Sequence, residues 1–188
     1  MNLRILVVLL SFIGILSCNT SKKETSPIAL AEQYYRAMNT SDFTIVTGLF
    51  LDSIRMKEND YSAVFSKEDY IHWLQWDSVF KPAYKILKIS EKDGKVNLHI
   101  SKECRRTLFL NEEPVINNEL MVFKDNRIVS IEIDNYIVFN DSLFSQKRAK
   151  LLTWIDENHA ELNGFIHDQT KAGALNYIKA LDLYEARE

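Results

Sequence analysis

Residues 115–139, VINNELMVFKDNRIVSIEIDNYIVF, decide the fold. They read as two long strands joined by a tight turn at Lys124-Asp125-Asn126, because Asp and Asn tolerate the left-handed backbone that such a turn demands. Ahead of the turn, Leu120 and Val122 alternate with Glu119, Met121 and Phe123; after it, Val129, Ile131 and Ile133 alternate with Ser130, Glu132 and Asp134. A period of two sustained over this length predicts a half-buried antiparallel sheet.

Upstream, strands are expected over residues 84–90, 95–101 and 105–110, with Asp93-Gly94 as the hairpin turn between the first two. Helices precede them. Ser26 caps a first helix with Pro27 at its first position, and Ile28, Ala31, Tyr34 or Tyr35, and Met38 recur at helical spacing. Asn39-Thr40-Ser41 breaks it, and Ser41 or Asp42 caps a second helix through Phe43, Val46, Leu49 and Phe50. Residues 52–58 suit a first edge strand and 59–65 a loop. Ser66 with Asp69 makes a capping box, with Asp in the usual Glu position, for a third helix carrying Tyr70, Trp73, Leu74 and Trp76. Helices followed by a meander of strands predict an α+β domain over residues 27–140, its curved antiparallel sheet covered on one face by helices.

The tail, residues 141–188, reads as a helical extension packed on the same domain. Asp141 or Ser142 caps a helix bearing Phe144, Leu151, Leu152 and Ile155, and Asp168 or Thr170 caps a last one. There Ala174, Tyr177, Ile178, Leu181 and Tyr184 form a stripe that must bury against something. The body of the domain, a second copy in a homodimer, and an envelope protein are the three partners to weigh.

The chain has 188 residues, 46% hydrophobic and 26% charged, as suits one globular domain. A formal net charge of -3 with no basic run argues against a nucleic-acid footprint. No phosphate-binding glycine loop, nucleophile elbow or internal repeat is present, and nothing in the sequence calls for a cofactor. His159, Glu161, His167 and Asp168 cluster near a turn at Asn163-Gly164, but their spacing matches no helical His pair or zinc finger, so no metal site is read there.

Residues 1–18, MNLRILVVLLSFIGILSC, have a cationic start at Arg4, an apolar run and a small residue before a cysteine, the layout of a secretory signal. The apolar run is too short to span a bilayer, which takes about 20 helical residues. Ile15-Leu16-Ser17-Cys18 resembles the bacterial lipobox, which implies cleavage before Cys18 and its acylation, palmitate included; a plain signal peptide with an incidental cysteine is the alternative. Asn19 in place of the Asp that retains lipoproteins at the inner membrane implies an outer-membrane lipoprotein of the bacterial cell envelope, facing the periplasm or the cell surface. Residues 19–26, NTSKKETS, would be its polar tether. Cys104 is then left without a partner, either inert or made reactive by Arg105 and Arg106.

The element order, together with AEQYYRAMNTSDFTIVTGLF at residues 31–50, resembles the NTF2-like superfamily, which includes ketosteroid isomerases and SnoaL-type cyclases. The shared features are the polar turn Asn39-Thr40-Ser41-Asp42, Leu49-Phe50 closing the second helix, Asp52 before the edge strand, and Asn126-Arg127-Ile128-Val129 in the last strand. The resemblance covers residues 27–139 and implies a cone-shaped shell. Its isomerase-like branch implies Tyr34, Glu58 and Glu119 as catalytic groups: a carboxylate base moves a proton beside a carbonyl while a Tyr hydroxyl and a protonated acid bond to the enolate oxygen. Two of these positions carry Glu where that branch carries Asp, and all three residues have ordinary structural readings.

Tyr35, Trp73 and Trp76 are candidates for an aromatic ligand-binding rim or plain core. His99, sharing a face with Asn97 and Ser101 opposite Val96, Leu98 and Ile100, lines a polar wall or faces water. The sequence therefore points to a lipid-anchored envelope domain whose pocket receives a small apolar ligand or a protein partner without catalysis. An isomerase or cyclase is the alternative. A purely structural module, with a filled cone and an exposed apolar patch, is the third reading.

Overall fold

A computed structural model describes residues 25–187. The readings of the signal peptide, of Cys18 and of most of the tether fall outside them. Among the described residues no helix is long and apolar enough to cross a membrane.

The order is α1 (Pro27–Thr40), α2 (Phe43–Gly48), β1 (Phe50–Glu58), β2 (Tyr61–Ser66), α3 (Lys67–Ser78), β3 (Ala83–Lys92), β4 (Lys95–Glu103), α4 (Arg105–Asn111), β5 (Val115–Lys124), β6 (Arg127–Val138), α5 (Asp141–Asn158) and α6 (Lys171–Glu185). The helix starts follow the expected side chains. Ser26 Oγ accepts from Ala29 N at 3.2 Å, Asp42 Oδ1 from Ile45 N at 3.0 Å, and Ser66 Oγ from Asp69 N at 3.1 Å while donating to Asp69 Oδ2 at 2.7 Å.

The six strands form one curved, unclosed sheet in the order β2-β1-β6-β5-β4-β3. The central β5–β6 hairpin turns through Asp125 and Asn126, both with positive φ, and β3–β4 turns through Asp93 and Gly94 in the same way. Two positive-φ residues between paired strands make the type I′ geometry whose twist matches the sheet. Register shifts interrupt β5–β6 at three places and β3–β4 between Ile86 and Lys88. Such bulges bend a ladder and give the sheet its inner face.

Three expectations are corrected. Residues 105–110 are helical: Cys104 Sγ accepts from Thr107 N at 3.4 Å while Thr107 Oγ1 accepts from Cys104 N at 2.8 Å. This reciprocal cap starts α4, and Thr107, Leu110 and Asn111 bury at helical spacing. It also assigns Cys104, buried, a structural role. Residues 59–65 are largely strand: β2 pairs with β1 from Glu58↔Tyr61 to Ser53↔Ser66 and is the sheet edge. β1 is therefore second from the edge, and it pairs with β6 in parallel, the one parallel pair among the described residues of an otherwise antiparallel sheet.

Two apolar clusters share α3. On the inner face, Leu30, Ala31, Tyr34, Tyr35 and Met38 of α1 meet Val96, Leu98 and Ile100 of β4, Met121 of β5 and Ile131 of β6, with Tyr70 and Leu74 of α3. On its other side α3 presents Trp76, followed by Phe80, to Leu151 and Ile155 of α5 and to Ala174, Tyr177 and Leu181 of α6. The stripe of α6 is thus buried within the chain. Each fully buried Leu or Ile contributes about 1.5–3 kcal/mol, so the tail is bound to the sheet domain by an ordinary core. His159 and Asp168 have local partners: Glu161 lies 3.3 Å from His159 Nδ1, and Asp168 Oδ1 accepts from Thr170 N at 2.9 Å.

Candidate functional site

A cavity of about 490 Å³ lies between α1, α3 and the inner face of the sheet. Aromatic and aliphatic side chains wall it, among them Met38, Met56, Phe65, Trp73, Ile100, Ile131 and Phe139. Phe144 of α5 also lines it, so the tail contributes to the wall. This volume falls within the range of small-molecule pockets, about 300–1,000 Å³. The cone is not filled.

Tyr34, Glu58 and Glu119 all line this one cavity, as do Tyr35 and Trp73. Trp76 and His99 do not. Trp76 lies in the second cluster, its ring 5.0 Å from that of Phe80. His99 lies on the outer face, opposite Asn118 of β5, in a polar groove with Asn97, Glu132 and Asp134. Alternation along β4 sends it away from Leu98 and Ile100.

Several polar groups of the cavity form separate fixed sets. Tyr34 and Tyr70 share a hydroxyl–hydroxyl bond of 2.6 Å. Tyr35 donates to Glu119 Oε2, and Asn117 Nδ2 donates to Glu119 Oε1 at 3.1 Å. Lys102 Nζ reaches both oxygens of Asp77, at 2.8 and 3.0 Å, and Tyr84 donates to Asp77 Oδ2 at 3.0 Å. At the exposed end Tyr136 donates to Glu58. Burial pushes the Glu119 carboxyl above the usual carboxylate range, against the opposing pull of the Tyr35 and Asn117 hydrogen bonds and the Lys102 charge. Burial likewise holds the hydroxyls of Tyr34, Tyr35, Tyr70 and Tyr84 protonated well above their ordinary range. The arrangement can thus present neutral hydroxyl donors and one carboxyl of enhanced basicity to a bound molecule.

Sequence reasoning missed Tyr70, Tyr84, Lys102, Arg106, Asn117 and Tyr136. Strand parity could have found two of them. Lys102 continues the row Val96, Leu98, Ile100, and Asn117 the row Glu119, Met121. Tyr136 sits beyond the bulges that shift parity between β5 and β6, so no simple alternation reaches it.

No protein-family model matches the sequence, and no curated protein matches it. Solved structures do. An NTF2-like protein of unknown function from Cytophaga hutchinsonii is similar over 61% of this chain and 93% of its own, with 16% identity and a TM-score of 0.50. A protein from Kribbella flavida is similar over 69% of this chain and 95% of its own, with 18% identity and a TM-score of 0.51. An uncharacterised cystatin-fold protein from Novosphingobium aromaticivorans is similar over 59% of this chain and 99% of its own, with 14% identity and a TM-score of 0.50. A helix-lined, six-stranded, curved and unclosed sheet that superposes on such structures over most of their length gives this chain the NTF2-like cone fold.

Proposed function

We propose that this chain is a lipid-anchored protein of the bacterial cell envelope whose cone cavity binds a small, largely apolar molecule. The observation that carries the reading is the cavity itself: about 490 Å³, walled by apolar side chains, with Tyr34, Tyr35, Lys102 and Glu119 at its wall held by partners. Fixed polar groups in an apolar wall select orientation, and the apolar wall supplies affinity. The lipobox-like Ile15-Leu16-Ser17-Cys18 and the following Asn19 support an outer-membrane anchor.

The test is mass spectrometry of an organic extract of the purified Cys18→Ser protein, which carries no acyl chain of its own. One class of small molecule at near-stoichiometric amount supports the reading. An extract no richer than that of an unrelated periplasmic protein purified in parallel would count against it.

A second reading, proton transfer beside a carbonyl, is favoured by one specific observation. Tyr34, Glu58 and Glu119 line the same cavity, and burial raises the basicity of Glu119. In it Glu119 takes the proton from the carbon next to the carbonyl, and the Tyr34–Tyr70 pair donates a hydrogen bond to the resulting enolate oxygen. Exchange of carbonyl-adjacent hydrogens in deuterium oxide, lost in Glu119→Gln, supports it. Exchange at the buffer rate with the extracted molecule bound removes it.

A further inference from the structure

The charged side chains of the cavity wall divide unequally. Lys102 is held by Asp77, and Lys57, at the exposed end, lies 4.0 Å from Glu132. Glu119 is held by Tyr35 and Asn117, and Glu58 by Tyr136. Arg106, on the first turn of α4, is the exception. No carboxylate of the described residues lies within 4.0 Å of it, and its Nε is shielded from solvent without a hydrogen-bond partner. What fixes it is aromatic: its guanidinium carbon lies 5.2 Å from the ring centre of Trp76 and 5.6 Å from that of Phe80. Ring faces attract the cation but leave the N–H groups at its edge unused. The same side chain lines the cavity, at its border with the second cluster, and its charge acts on Tyr136 on one side and on Tyr177 on the other.

A partly desolvated guanidinium packed beside two aromatic rings, with free N–H edges at an apolar cavity, is a built receptor for a carboxylate, whose two oxygens match its fork. We propose that the molecule bound in the cavity is an amphipathic monocarboxylate, its carboxylate on Arg106 and its apolar body along the aromatic wall formed by Tyr35, Phe65 and Trp73. This rests on the cavity being a ligand site and specifies the chemistry of its ligand. A straight-chain acid and a fused-ring acid share the required head group.

The test measures binding of two acid and alcohol pairs to the full-length protein at pH 7.5 by calorimetry: dodecanoic acid with 1-dodecanol, and abietic acid with abietinol. The pair that binds identifies the shape of the apolar body. Within it the acid is expected to bind at least tenfold more tightly than the alcohol, a preference that falls to within twofold in Arg106→Met and is partly restored in Arg106→Lys. Arg106→Met keeps an apolar side chain against the Trp76 and Phe80 rings; Arg106→Gln serves if that variant does not fold. Equal binding of acid and alcohol to the wild-type protein would overturn the carboxylate assignment and leave the cavity as a ligand site. An acid preference that survives both Arg106→Met and Arg106→Gln would overturn the assignment to Arg106. Absence of binding by all four probes overturns this proposal; the extract experiment separately decides the cavity reading.

Discussion

Lys102→Met is expected to be among the most destabilising single changes near the cavity. Asp77 is 2% exposed at its side chain and Lys102 20%, so the pair joins β4 to α3 almost out of water. Without the ammonium, Asp77 keeps one hydrogen bond, from Tyr84 at 3.0 Å, for a full negative charge. Breaking a buried pair by removing one partner costs about 3–5 kcal/mol, because the other charge is stranded. Removing both charges behaves differently. Asp77→Asn keeps the shape and an oxygen for the Tyr84 hydroxyl, so adding it to Lys102→Met should restore about 2 kcal/mol or more of what the single change loses. Urea unfolding at pH 7, followed by tryptophan fluorescence, measures all three variants against wild type. Loss below about 1 kcal/mol in Lys102→Met, or additive losses in the double variant, would refute the claim that Lys102 neutralises a desolvated Asp77.

Three further outcomes are expected. Gly173→Ala in an open helix would gain about 1 kcal/mol, but here a Cβ would stand 2.1 Å from the Asp168 carbonyl oxygen, so the melting temperature should fall; a rise contradicts the close approach. Glu119 has a folded-state pKa raised by burial, so the folded protein binds its proton more tightly than the unfolded chain does, and stability falls as pH climbs from the ordinary Glu value through the raised one. Glu119→Gln should therefore gain on wild type in melting temperature between pH 4 and pH 8, and a flat or inverted difference would show that burial does not govern this carboxyl. Cys18→Ser should abolish incorporation of labelled palmitate in a bacterial host, whereas unchanged labelling removes the anchor from the account.

Much of the fold was legible because its main signals are local. The Asp93-Gly94 and Asp125-Asn126 turns need positive φ, and the residues that tolerate it stand there. Ser26, Asp42 and Ser66 announce helix starts by chemistry that acts within four residues. What escaped was set by distant partners or by unusual residues. Cys is not a common cap, so Cys104 and Thr107 gave no familiar signal for α4. Strand β2 exposes Tyr61 and Val64 at the edge of the sheet, and without a buried row its sequence shows no clean alternation.

The site divides along the same line. Tyr34, Glu58 and Glu119 were placed by a resemblance between folds, and the cavity gathers them because a cone brings α1, the end of β1 and the middle of β5 to one inner face. Trp73 and Trp76 lie three residues apart on α3 yet face different clusters, a split invisible until α5 and α6 supply the second core. Arg106 is not legible as a cavity residue from a segment whose sequence reads as a strand.

The most direct test of the central claim is native mass spectrometry of the Cys18→Ser protein beside the cavity-blocking variant Met56→Trp. Met56 lines the cavity and is only partly buried, so the larger ring has the cavity itself to enter. The account predicts a bound small molecule on the first protein, released on denaturation, and none on the second at an unchanged fold by circular dichroism. Equal loading of the two proteins, or none on either, would contradict it.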